Sequence, residues 1–177
     1  QDYQAFLKRF GVDGNTMVVG FETDHFYEMS YFNAVAKLQK TIKGLHGVTA
    51  ILNIPDVVNL INDSANAQFK SVKIFTPPYT SQASLDSASV VFKSLPFYKT
   101  LLYSPSSNAY LMGVSLDGAI INSKNRSALV QKIDAAIETF EKLKEVAYPE
   151  GKQICDNWIS ILKYYKTLSD NALQIMS

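Results

Sequence analysis

Two histidines, His25 and His46, are the first residues to test for chemistry. His25 stands near Glu22, Asp24 and Glu28. An imidazole among carboxylates has the makings of a metal site or of an acid–base pair. The spacing matches no ligand motif, and a polar loop accounts for the grouping equally well. His46 sits in Gly44-Leu-His-Gly47, a helix-ending turn where a cation favours the helix dipole, so a capping role is expected. The single Cys155 lies beside Ile154 and near Trp158, which suits a packed thiol. One cysteine excludes an intramolecular disulfide and a multi-cysteine zinc site. Ser104-Pro-Ser-Ser107 is a turn rather than a nucleophile, and Asp134 with Glu138 is a common i, i+4 pair on a solvated helix face. No nucleophile-elbow, zinc-protease, phosphate-loop or dinucleotide-loop pattern occurs. The expectation is a non-enzymatic chain with no catalytic, cofactor-binding or metal-binding residue.

Aromatic side chains offer a different chemistry. Phe75, Tyr79, Phe92, Phe97, Tyr98 and Tyr103 crowd the middle of the chain. Two arrangements are open: they line a groove for a hydrophobic ligand, or they fill the core beneath a long insert.

The elements that position these residues alternate between strand and helix. A short helical lead-in over residues 3–10 ends at Gly11, and Asp13-Gly-Asn15 is a turn signal. Thr16–Thr23 reads as a first strand. Phe32, Val35, Leu38, Ile42 and Leu45 recur at helical spacing, which predicts a helix over about Tyr31–Gly44, with Ser30 as N-cap and Gly44 and Gly47 as stops. Val48–Ile54 is a second strand, giving a βαβ-like unit. Residues 56–100 form an irregular insert: Val57–Ile61 as a helical turn or loop, Val72–Phe75 as a short strand, and Ser84–Ser94 as a helix ending before Pro96. Leu101–Tyr103 and Asn108–Leu116 form a hairpin. A long helix spans about Asn125–Glu145, with Leu129, Ile133, Ala136, Ile137, Phe140 and Leu143 as its apolar stripe. Residues 1–150 thus form one α+β domain, mostly antiparallel sheet with helices on one face. Residues 151–177 add a C-terminal amphipathic helix carrying Trp158, Ile161, Leu162 and Tyr165.

Composition bounds the rest. The chain has 177 residues, 47% of them apolar and 19% charged, so it can bury a core. Lys and Arg total 17 against 16 for Asp and Glu, a balance that gives no support to nucleic-acid binding. No run approaches the roughly 18 apolar residues of a membrane helix. The N-terminus, Gln1-Asp-Tyr-Gln4, has no leader pattern, which suggests a mature product or a piece of a longer chain.

Several segments together resemble the extracytoplasmic porter domain of RND-superfamily exporters, in the MMPL- or patched-like branch of Bacteroidetes type. They are Phe10-Gly-Val-Asp-Gly-Asn15 leading into Met17-Val-Val-Gly-Phe21, and Leu45-His-Gly-Val48 followed by Ile51-Leu-Asn-Ile-Pro55. The most specific are Leu95-Pro-Phe-Tyr-Lys-Thr-Leu-Leu-Tyr103, Ala109-Tyr-Leu-Met112, Asn122-Ser-Lys-Asn-Arg126 and Leu129-Val130. The resemblance covers about residues 3–145 and implies a ferredoxin-like βαβ-type subdomain in the first large loop of a proton-driven exporter. It implies a place on the periplasmic side of the cytoplasmic membrane, with the intact protein in the inner membrane. Its partners would be the membrane helices and second porter loop of the same chain, a hydrophobic or lipid-like substrate, and further copies in a homo-oligomer. The family's closing strand after the second helix has at most a remnant in Glu145-Val-Ala-Tyr-Pro149. A free-standing ferredoxin-like module that binds a small molecule or protein is the alternative.

Overall fold

A computed structural model describes residues 15–63, 68–99 and 101–147. The helical lead-in at 3–10, Cys155 and the amphipathic stretch 151–177 lie outside them. The described elements follow in the order β1 (Thr16–Glu22), α1 (Met29–Lys43), β2 (Val48–Leu52), β3 (Val58–Asp63), β4 (Gln68–Lys73), α2 (Gln82–Lys93), β5 (Tyr103–Ser104), β6 (Ala109–Leu116), α3 (Gly118–Ile121) and α4 (Arg126–Ala147). The protein is an α+β fold whose strands pair antiparallel.

β6 is the middle of the main sheet. It takes β1 along one edge and β2, then the short β5, along the other. β1 and β2 are therefore parallel to one another, joined through α1 and separated by β6. Burial alternates strictly along β6, with Tyr110, Met112, Val114 and Leu116 inward. Phe21, Val19 and Met17 stand opposite the first three of these on β1. This period of two is what one buried face requires.

Helices cover that face. Phe140 of α4 meets Phe21 at 5.7 Å and Tyr31 of α1 at 5.6 Å, both edge-on. Phe32, Val35, Leu38 and Ile42 of α1 are buried, as are Leu129, Ile133 and Phe140 of α4. The apolar stripes at helical spacing thus mark the sides turned to the core. Leu143 belongs to the α4 stripe but is about half exposed, at 49%.

α1 begins one residue before Ser30, and its N-cap is Glu28, which makes no side-chain capping bond. The exposed N–H of Met29 is met from far away instead: Gln82 Oε1 accepts it at 2.9 Å, while Gln82 Nε2 donates to the Tyr27 carbonyl at 2.8 Å. A tertiary contact has replaced the local cap. At the other end, Gly47 holds φ at +104°, and a Cβ there would come within 2.8 Å of Leu129 and 2.9 Å of Ile120. The turn into β2 needs glycine at that residue.

Within 56–100, expected as an irregular insert, the described residues include a paired strand hairpin and a helix. Val58–Asp63 is a strand, paired along its length with Gln68–Lys73, and α2 follows. Periodicity hid β3 because its hairpin has no buried face. Leu60, Ile61, Phe69 and Val72 are all exposed, so no alternation between apolar and polar sides is imposed.

Candidate functional site

The six aromatics of the middle segment do not surround an opening. Phe75 and Phe92 are fully buried, and Tyr79, Tyr98 and Tyr103 are at most partly accessible. Their rings form a continuous chain from α1: Phe32 to Phe75 at 4.8 Å, Phe75 to Phe92 at 5.7 Å, then Phe92 to Tyr98 at 5.5 Å and to Tyr103 at 5.2 Å. Tyr79 reaches Phe32 at 5.9 Å, held by two bonds of 2.8 Å between its backbone and the Asn33 amide. Offset and edge-on ring contacts at these distances are the way aromatic cores close-pack. Phe97 is the exception. It is 73% exposed, turned away from the other five except for its neighbour Tyr98.

A shallow groove of about 90 Å³ lies between α1 and α4, lined by Ala34, Leu38, Thr41, Ala136, Phe140 and Leu143 among others. Ligand pockets for drug-sized molecules run from roughly 300 Å³ upward, so this groove does not enclose one.

Surfaces are what the fold leaves for recognition. The pairing register places Thr16, Val18, Gly20 and Glu22 of β1 on the sheet face away from the helices, with Ala109, Leu111, Gly113 and Ser115 of β6, and Ala50 and Leu52 of β2. Glu22, at one end, is the sole ionisable side chain of these ten. Val18, Gly113 and Leu52 form one row across the three strands, with Val18 48% and Leu52 47% exposed beside the notch at Gly113. A sheet face with one ionisable side chain, at its end, and an exposed apolar row at its centre is a docking surface in kind.

The β3–β4 hairpin is the second surface. It is joined to the body through two polar contacts at its base. Tyr98 takes the Val58 N–H on its hydroxyl at 3.3 Å and donates to the Val58 carbonyl at 2.7 Å. Asp56 binds Lys73 at 3.0 Å and Lys43 at 3.6 Å, and accepts from Gln39 of α1 at 2.7 Å. The Lys73 hydrogen bond, with the charges of Lys73 and Lys43, holds the Asp56 carboxyl below the usual carboxylate range against the opposing effect of its burial.

His25 is exposed, and its Nδ1 meets Glu28 Oε1 three residues on, in the turn before α1. Asp24 instead accepts from the Asn108 amide. His46 is exposed in the turn between α1 and β2. Tyr27 carries a buried hydroxyl with no hydrogen-bond partner among the described residues, and Lys93 Nζ lies 4.3 Å from its ring centre. Burial, then the neighbouring Tyr110 and Tyr103, pushes that phenol far above its ordinary value.

Reasoning from sequence missed both surfaces. The outward face was encoded in the residues between the buried ones of β1 and β6, but naming it needs the register with β2. The hairpin had one signal, the β-forming run Val57-Val-Asn-Leu-Ile61. No family model matches the chain, and neither a curated protein nor a solved structure matches it. No helix among the described residues is long and apolar enough to cross a membrane.

Proposed function

We propose that the chain is an extramembrane porter-type domain of an RND-superfamily exporter of the MMPL- or patched-like branch, with a ferredoxin-like core, handling a hydrophobic or amphiphilic substrate. The observation that carries the reading is the outer face of the sheet, whose one ionisable side chain, Glu22, stands at its end. Five of the six aromatics pack on one another in the core, and on this reading the outer sheet face serves as a wall of a substrate path. Val18, Gly113 and Leu52 give that wall an apolar centre, suited to packing against a sister domain or to an apolar molecule passing between them. The order of strands agrees: two parallel strands flanking β6, with α1 and α4 on the opposite face, is the βαβ arrangement that a ferredoxin-like subdomain is built from. The segments of the resemblance fall on the junctions of that core, Leu45-His-Gly-Val48 at the entry to β2 and Asn122-Ser-Lys-Asn-Arg126 at the start of α4.

The test uses the intact parent protein in its own membrane. A Cβ at Gly113 would lie 3.9 Å from Leu52, ordinary contact distance, so a side chain there alters the face without forcing the fold. Gly113→Asp and Leu52→Lys are expected to abolish export of a fluorescent hydrophobe while the protein stays at wild-type level. Unchanged export by both variants, or a parent reading frame lacking apolar runs of about 20 residues on either side of this domain, overturns the reading.

The alternative, a free-standing module that binds a partner through a sheet edge, is favoured by one feature. Among the described residues β1 pairs with β6 alone, and a strand edge is where an added strand of a partner docks.

A further inference from the structure

Among the described residues the β3–β4 hairpin pairs with no other strand, and it carries exposed apolar side chains on both faces. In an antiparallel ladder, residues that exchange both backbone bonds alternate with residues whose N–H and C=O point outward. Val58 belongs to the outward set, because both its N–H and its C=O meet the Tyr98 hydroxyl. Leu60 and Asn62 therefore direct theirs outward too, along the free edge of β3. Residues 58–62 include no charge and no proline, whereas β4 carries Lys70 and Lys73. Charges and prolines are the devices that keep natural edges from pairing; β3 has neither over this stretch, and its one charge, Asp63, stands at its end. Its side chains are apolar as well: Leu60 is 65% exposed, and Phe69, diagonally across the hairpin on the same face, is 76% exposed.

We infer that this edge is an interface with a second copy of the chain, β3 pairing antiparallel with β3 about a two-fold axis at Ile61. Tyr98 sets the register. Its hydroxyl occupies Val58, which leaves Leu60 and Asn62 with free backbone groups. The two-fold pairing that uses both sets Leu60 opposite the partner's Asn62, and Ile61 opposite the partner's Ile61. The Ile61 pair is of the close kind, with Cα atoms ~4.5 Å apart. The result is a four-stranded sheet with Leu60 and Phe69 of both copies on one face and Ile61 and Val72 of both on the other. Pairing through β4 instead would gather four lysines in one ladder, which like-charge repulsion opposes. The strand contact is small beside the ~1,200 Å² or more of a stable interface, so the isolated chain dimerises at high concentration. The pairing stands independently of the exporter reading.

Crosslinking of the full chain tests it, in a Cys155→Ser background with a mild oxidant. A thiol at Ile61→Cys meets its own counterpart across the two-fold and is expected to give a disulfide-linked species of doubled mass. Val72→Cys, on the outer strand, is expected to remain at single mass. Analytical ultracentrifugation is expected to show a reversible dimer that Ile61→Lys loses with no change in thermal unfolding. Equal crosslinking at the two positions overturns the inference, as does a chain that stays monomeric at high concentration. A monomer that floats with phosphatidylcholine vesicles and loses this on Leu60→Lys also overturns it, by assigning the hairpin to a lipid surface.

Discussion

Tyr98→Phe should loosen the hairpin and leave the body alone. The ring would keep its place against Phe92, 5.5 Å away, so the substitution removes a hydroxyl and no core volume. That hydroxyl makes two bonds to Val58, one short at 2.7 Å and one long at 3.3 Å. A net hydrogen bond in a protein contributes about 0.5–1.5 kcal/mol, and the longer of these belongs at the low end. The Val58 groups are freed at a partly exposed place, where water replaces much of the loss. The expected cost is about 1–1.5 kcal/mol, or roughly a tenfold change in an opening equilibrium. The hairpin has no buried face of its own, so its opening is sub-global. Native-state hydrogen exchange at low protein concentration should show the inward amides of β3 and β4, those of Asn59, Ile61, Lys70 and Val72, exchanging about tenfold faster. Met112 and Val114, in the middle of the main sheet, should keep their protection. A uniform loss across both sheets would show that Tyr98 supports the global fold and would refute the argument. No change in β3 and β4 would show that the hydroxyl does not hold the hairpin.

Asp56 should make the same base sensitive to acid. Its carboxyl is held below the ordinary range in the folded protein, so its contribution is complete above the unfolded value near 3.8 and is lost as pH falls through the folded value. Exchange in β3 and β4 should therefore accelerate below about pH 4 by more than in β6, and Asp56→Asn should remove that difference. Phe92→Ala should lower stability by about 3–5 kcal/mol, because a fully buried ring leaves a cavity, whereas Phe97→Ala should stay within about 0.5 kcal/mol. Thermal or denaturant unfolding of the two variants checks the difference, and similar losses would contradict the placement of these rings.

How much could be seen beforehand follows from where burial imposes a pattern. α1, α4 and β6 each bury one side, and Phe32, Val35, Leu38 and Ile42, or Tyr110, Met112, Val114 and Leu116, repeat at the spacing that burial demands. Their existence was legible to within a few residues. The N-terminus of α1 was not, because the partner of the Met29 N–H is Gln82, which stands 53 residues further along the chain. A local search for a cap finds Ser30 and has no means of finding Gln82. The six aromatics were legible as a group but ambiguous in use, since composition is the same for a filled core and a lined groove. The ring distances decide for the core in five of them, and no pattern in the sequence sets Phe97 apart from Phe92.

The closed core also constrains function. The rings packed from Phe32 through Phe75 to Phe92 fill the space between them, and the groove between α1 and α4 is too small to enclose a drug-sized ligand. Among the described residues, the outer sheet face and the β3–β4 hairpin both carry exposed apolar side chains, Val18 and Leu52 on the one and Leu60, Ile61 and Phe69 on the other. Tyr98 connects these regions, because its ring belongs to the packed chain and its hydroxyl to the hairpin. The sheet face is separated from that ring by β6 itself, whose inward residues are buried and whose outward residues form the face. The two surfaces can thus be altered one at a time, Gly113 for the face and Ile61 for the hairpin, and each should fail without the other.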